Sequence, residues 1–439
     1  MEENIQDILK DKDENVVQLN FENNTSSPVA VNLFDTATLS ITPTSGNQQT
    51  TYTSSGDLLP SLPPSIFAQN PNNGTFIASD LTSPVLRLLN TTTNTNESSF
   101  DNSFGFNGLV QSIAIQPDGK ILCGGFFNQY KGLTENFIIR LNSDGSKDLT
   151  FDNSIGFDSV VYSIKLQSDG KILVGGIFTT YKGITENRII RLNANGTKDA
   201  TFDNSIGFNN NTNEIAIQPD GKILVGGSFT TYKGITENRI IRLNANGTKD
   251  ATFDNSIGFN NPVFAIAIQF DSNILVGGVF TTYKGLTENR IIRLNPNGSK
   301  DLTFDNSIGF NQSPNFNSIV IQPDGKILVG GFFTTYKGLT ENYIIRLNPN
   351  GSKDITFDNS IGFSNDVRAI QLQPDGKILC GGNFTTYKGV TANSIIRLNP
   401  NGSKDLTFDN SIGFNSGVYS IAIQPDGKII IGGDFTTYK

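Results

Sequence analysis

The sequence predicts an all-β protein: a seven-bladed β-propeller closed by an N-terminal strand segment and preceded by a small β-containing module. Three observations carry that prediction. A unit of about 51 residues recurs along most of the chain, each unit holds short apolar runs bounded by turn residues, and the partial units at the two ends complement one another.

The unit is set by Gln116-Pro117-Asp118-Gly119-Lys120, whose aspartate returns at Asp169, Asp220, Asp271, Asp324, Asp375 and Asp426. The spacing is 51 except for 53 before Asp324, and the two extra residues are expected to lengthen a loop over 311–317. In the second unit a first strand over 161–166 ends at the Ser168-Asp169-Gly170 turn. A second strand follows over 171–180, with Gly175-Gly176 allowing close approach of a neighbour. A third over 188–193 ends at Asn195-Gly196, and an irregular fourth spans 199–206. Four antiparallel strands of this length make a propeller blade. Ile189-Ile190-Arg191-Leu192 and Ile172-Leu173-Val174 are apolar on both faces, as packing between blades requires.

The last unit stops after its second strand at Tyr438-Lys439. Val85-Leu86-Arg87-Leu88 and Phe100-Asp101-Asn102-Ser103 match the missing half, so residues 83–104 are expected to complete the last blade and leave no open edge. The propeller is therefore expected over 83–439, behind an anchoring module over 1–42 and an extended connector over 43–82. In the module, Ile5, Ile8 and Leu9 suggest a short helix. Val17, Leu19 and Phe21, followed by Val29, Val31 and Leu33, suggest a hairpin. Phe21, Val29, Val31, Leu33 and Phe34 are the expected anchoring residues.

The run Ile-Gln-Pro-Asp-Gly-Lys-Ile-Leu-Val-Gly-Gly, followed by Arg-Leu-Asn-x-Asn-Gly-Ser-x-Asp-x-Thr-Phe, resembles the delta-60 repeat, a bacterial β-propeller family. The resemblance covers residues 84–439 and implies the fold rather than a chemistry. Unit four departs from it at Gln269-Phe270-Asp271-Ser272-Asn273. Residues 21–35 resemble short β modules in structural proteins of tailed phages, including crAss-like ones.

Composition narrows the function. Charged residues are 17% of the chain, net charge is −8 and no basic run occurs, which disfavours a nucleic-acid partner. No apolar stretch has the length of a membrane span. The acidic first residues lack the pattern of a secretory signal. Histidine is absent, so Ser-His-Asp and Cys-His machinery and the commonest metal ligand are missing. No cofactor is expected. Cys123 and Cys380 stand where other units carry valine and read as buried apolar residues.

The sevenfold sets of Arg140, Arg191 and their equivalents (Arg87 included), of Asp152 and its equivalents, and of Tyr130 and its equivalents read as fold requirements rather than ligand rings. Positions that differ between units are the candidate binding loops. After Gly-Phe these are Asn107, Asp158, Asn211, Asn261, Asn315, Asp366 and Asn415; after Gly-Gly they include Phe126, Phe332 and Asp434. The expected function is a non-enzymatic virion display protein, made in the host cytoplasm. It would join other virion proteins through residues 1–80 and bind protein or host glycan through propeller loops. A bacterial surface adhesin and a cytoplasmic scaffold are the alternatives.

Overall fold

A computed structural model describes residues 100–439 apart from 101–104, 153–154, 256, 307, 360, 409–412 and 439, and the side chains of 315–317; before residue 100 it describes the backbone of the strands. The chain divides into two compact units, Met1–Leu81 and Thr82–Lys439.

In the first unit Val16–Glu22 is the central strand of a sheet, flanked by Ile8–Asp11 and Asn47–Thr53. Val29–Leu33 pairs with Ala37–Ile41, and Phe67–Gln69 with Phe76–Ala78. This corrects two expectations. Residues 8–11 form a strand rather than part of a helix, because so short a helix is marginal while pairing with Val16–Leu19 satisfies its backbone. The expected hairpin is also re-paired. Val29–Leu33 takes the partner across the shorter connection, which costs less closure entropy, and Val16–Glu22 pairs with the polar strand Asn47–Thr53 inside the expected connector. Phe21, Val29, Val31 and Leu33 lie on these strands; their side chains, and Phe34, are outside the described residues.

The second unit is a ring of seven similar blades. In blade 2, Val161–Leu166, Ile172–Gly176 and Ile189–Leu192 form an antiparallel ladder from the inside outward. The turn after the first strand is closed by Gly170 at φ 82° and by the Gln167 amide donating to the Lys171 carbonyl at 2.8 Å. In blade 4, Ser272 adopts φ 68° in place of that glycine, so the fold survives the loss of the motif.

After the glycine pair the second strand leaves the ladder. It forms a two-residue hairpin between Thr180–Tyr181 and Ile184–Thr185, in which Lys182 and Gly183 both have positive φ. The outer segment meets the third strand through one bridge, Leu192 with Lys198. In blade 5 the insertion does not lengthen a loop. The first strand runs Pro314–Ile321 and its register jumps between Pro314 and Ile319, so the extra residues enlarge a bulge that every blade carries there.

The ring closes as expected. Arg87–Leu89 is the third strand of blade 7, beside Ile429–Gly433. Leu88, not Arg87, stands opposite Ile430, whereas Arg191 stands opposite Leu173; Arg87 is thus one residue out of register with the arginine set. The first strands of successive blades touch all round, including Val418–Ile423 against Val110–Ile115. The core lies between blades: Leu122 and Ile138 of blade 1 pack into the cluster of blade 2, and Ile430 of blade 7 into that of blade 1. Cys123 and Cys380 are fully buried in these layers, unpaired, with thiols pushed well up by burial.

The repeated charges hold the ring. Arg140 donates from Nε to Asp148 Oδ2 at 2.7 Å and from Nη2 to Thr150 at 3.1 Å, and it lies 4.8 Å from the Phe151 ring. Its Nη1 reaches the Ala194 carbonyl of the next blade, and Arg191, Arg242, Arg293 and Arg346 repeat that reach. Burial alone would raise the Asp148 carboxyl; hydrogen bonds from Thr150, Lys120 and Arg140 outweigh it and hold the group well below the usual carboxylate range. The Asp152 set instead pairs with lysines, as Asp152 with Lys182 at 2.6 Å. The tyrosines are buried, Tyr181 donating to the Gly196 carbonyl at 2.7 Å, so no aromatic rim is left for a sugar to stack on there.

Candidate binding face

Where the repeats differ, the differences converge. The register shift in the first strand leaves one residue outside the ladder: Gln111, Tyr162, Asn213, Phe264, Arg368 or Tyr419, according to the blade. Such bulges re-aim a side chain. In two places the residue after Gly-Gly in one blade meets the bulge residue of the next. Phe126 contacts Tyr162 with ring centroids 5.8 Å apart, and Phe332 carries the Arg368 guanidinium 5.3 Å from its ring. Phe126 is 46% exposed and Phe332 40%.

Blades 5 to 7 build the most elaborate patch of this kind. Arg368 lies between Phe332 and Tyr419, 4.5 Å from the latter ring, and donates to Asp366 Oδ2 at 2.6 Å. Asp366 is buried and also accepts from Asn383 Nδ2 at 3.1 Å. The Tyr419 hydroxyl donates to Asp434 Oδ2 at 3.3 Å, while Asp434 Oδ1 is buried without a hydrogen-bond partner. Burial raises the Tyr419 hydroxyl pKa, opposed by Arg368 and reinforced by Asp434. The result is a cation close to two rings and bonded to a buried carboxylate, with a second carboxylate on the Tyr419 hydroxyl, an arrangement suited to binding through stacking and hydrogen bonds.

The candidate loop residues divide into two groups. Asp366, Phe126, Phe332 and Asp434 belong to this face. Asn107, Asp158 and Asn415 are exposed, but their side-chain oxygens accept from backbone amides of their own blade, as Asn107 Oδ1 from Asn128 and Gln129 at 2.9 and 3.0 Å. Burial opposes ionisation of Asp158, yet bonds from Thr179 and Thr180 hold its carboxyl below the usual range. Asn211 offers its carbonyl to the Ser228 amide, Asn261 is exposed, and the Asn315 side chain lies outside the described residues. Tyr162, Arg368 and Tyr419 were missed from sequence. Their signal was variation at the second position of each first strand.

The central channel, lined by the first strands of all seven blades, holds a cavity of about 210 Å³. Among the described residues no group of three or more His, Cys, Asp or Glu side chains is placed to hold a metal, and no helix is long and apolar enough to cross a membrane.

Fold and face together define a closed propeller of near-identical blades with a face on which the blades differ. The chain belongs to the family described as "Domain of unknown function (DUF5122) beta-propeller", the delta-60-like repeat propellers. The family model matches residues 116–151, 167–202, 218–253, 269–304, 322–357, 373–408 and 424–439. No curated protein matches the chain significantly.

Among solved structures, the extracellular domain of the BT4673 system from B. thetaiotaomicron is 17% identical with a TM-score of 0.47, covering 76% of this chain. This chain spans 38% of that domain's length. YCF48 from Cyanidioschyzon merolae is 12% identical with a TM-score of 0.43, over 79% of this chain and 98% of that one. A gluconolactonase from Xanthomonas campestris is 10% identical with a TM-score of 0.36, over 68% and 94%.

Proposed function

We propose that the protein is a non-enzymatic display protein whose first unit docks on a larger assembly and whose propeller offers its non-repeated face to a protein or glycan. The observation that carries this reading is the contrast within the ring. The Arg140, Asp148 and Tyr181 sets are engaged in holding blades together, while departures from the repeat gather around Phe332, Arg368 and Tyr419. The assembly we favour is the head or tail surface of a tailed-phage particle, on the resemblance of residues 21–35 to phage β modules. A bacterial surface adhesin is the second reading, favoured by the exposed rings of Phe126 and Phe332, which suit sugar stacking. Neither reading requires a nucleic acid or a cofactor.

Mass spectrometry of purified particles, with the cell-envelope fraction run alongside, tests the location. Enrichment in particles at fixed stoichiometry supports the virion reading; recovery in the envelope alone replaces it with the adhesin. A glycan and protein-array screen with Arg368→Ala as control tests the face. Binding that survives this substitution unchanged overturns its assignment.

A further inference from the structure

The channel carries a second departure from the repeat, independent of the outer face. At the third position of the first strands the blades carry Ser112, Ser163, Ala265, Ser318, Ala369 and Ser420, but blade 3 carries Glu214. At the fifth position they carry Ala114, Ala216, Ala267, Val320 and Ala422, but blade 2 carries Lys165 and blade 6 Gln371. Glu214 and Lys165 meet across the blade boundary, Nζ to Oε1 at 2.7 Å. Both line the cavity, as do Ser112, Ser420 and Gln371.

Glu214 is only 3% exposed, and its Oε2 has no hydrogen-bond partner. Burial pushes its carboxyl pKa up against the opposing pull of Lys165 and of a hydrogen bond from Ser163. A buried carboxylate with one oxygen unsatisfied is unfavourable, and six blades show that the fold does not need it. It is therefore an acceptor held ready for a donor.

We propose that the central channel binds an uncharged polyol of about monosaccharide size through Glu214 and Lys165. The ion pair already cancels its own charge, so a neutral ligand gains hydrogen bonds without bringing a charge that would need another partner. Glu214 accepts a hydrogen bond from a hydroxyl, Lys165 donates one, and Ser112, Ser420 and Gln371 offer further polar groups around the wall. A volume of about 210 Å³ is below that of ordinary drug-sized pockets and suits one sugar ring. Glu214 is the one carboxylate among the lining residues, too few oxygen ligands for a calcium-type ion.

The test is saturation-transfer NMR and calorimetry on the full chain with glucose, galactose, N-acetylglucosamine, inositol and glycerol as probes. At least one should bind saturably. Glu214→Ser and the Lys165→Ala/Glu214→Ser pair should each weaken it at least about tenfold. These variants install what other blades already carry, so the fold is expected to persist; should Glu214→Ser unfold, Glu214→Gln serves in its place. Arg368→Ala, at the outer face, should leave this binding within about twofold. No saturable binding by any probe up to ~10 mM, or binding unchanged by Glu214→Ser, overturns the proposal. Loss in Arg368→Ala with retention in Glu214→Ser moves the sugar to the outer face and likewise overturns it.

Discussion

Replacing Gly226 by alanine places a methyl carbon 2.5 Å from Val263 Cγ1 and 3.0 Å from Ile266 Cδ1, both on the first strand of blade 4. Favourable carbon contacts lie near 3.5–4.0 Å, so the strand or its side chains must yield by about 1 Å. Overpacking of that kind costs about 1–3 kcal/mol. Gly227→Ala meets a different obstacle, the Asn211 carbonyl oxygen at 2.1 Å. That oxygen accepts from the Ser228 amide at 2.9 Å, so relief breaks a backbone bond as well and adds roughly 1–3 kcal/mol. Against a total stability of about 5–15 kcal/mol the second substitution is far more damaging.

Equilibrium urea unfolding distinguishes the two, because Val263→Ala removes the methyl that Gly226→Ala strikes and leaves the Asn211 carbonyl in place. The double variant Gly226→Ala/Val263→Ala should show favourable coupling of at least about 1 kcal/mol, while Gly227→Ala/Val263→Ala should be additive within roughly 0.5 kcal/mol. Equal tolerance of the two alanines, or additive behaviour of the first pair, would refute the account of blade spacing by the glycine pair.

Removing residues 1–81 should leave a monomeric propeller that unfolds cooperatively, whereas removing residues 1–92 deletes Arg87–Leu89 and bares the edge of Ile429–Gly433. Sedimentation should then show concentration-dependent self-association of the shorter chain alone. Tyr232→Phe strips the donor from the Gly247 carbonyl at 2.6 Å and the Asp203 carbonyl at 3.1 Å, and should cost about 1–2 kcal/mol in urea titrations. Burial tends to raise the Asp250 carboxyl, but bonds from Thr252, Lys222 and Arg242 hold it below the usual range. The unfolded chain therefore binds more protons in acid, and stability present above the ordinary carboxylate range is lost as pH falls below it. Asp250→Asn should reduce proton uptake on acid unfolding by about one, and at neutral pH should cost roughly 3–5 kcal/mol by leaving Arg242 buried without its carboxylate.

The ladder strands and the seven closures were legible because their signals are local. Pro-Asp-Gly gives a corner with positive φ at glycine, and the apolar triplets show two buried faces. Ring closure was legible because the half-unit at residues 83–104 completes the half-unit at the end. The Lys182-Gly183 hairpin was not, since a lysine at φ 50° carries none of the asparagine or glycine preference that marks such turns. The carboxylate partner of each arginine was also hidden. Asp148 lies eight residues beyond Arg140 across an Asn-Gly-type turn, and only the bridge between Leu141 and Lys147 folds it back. Arg368 and Tyr419 looked like ordinary strand positions, because a bulge shifts register without changing composition. Asn47–Thr53 resembled a linker for a related reason: a strand of Gln and Thr has no apolar periodicity to report.

Because each position occurs in up to seven blades of one chain, a side chain that the fold requires can be separated from one that it merely accepts. Arg140 and its equivalents satisfy their donors within the blade and on the next, so their repetition is explained by bonds already made. The opposite case is Glu214, where serine or alanine serves elsewhere and where burial leaves an oxygen without a partner. Arg368 stands between these limits: its charge is answered by Asp366, yet its placement close to both Phe332 and Tyr419 serves no packing need that the other blades share. An unsatisfied buried carboxylate oxygen at one position and unneeded order at another are both costs that the other blades avoid at the same places. Their occurrence in the channel and on one stretch of the surrounding face is the physical reason for placing recognition there and stability in the sets of side chains that every blade repeats.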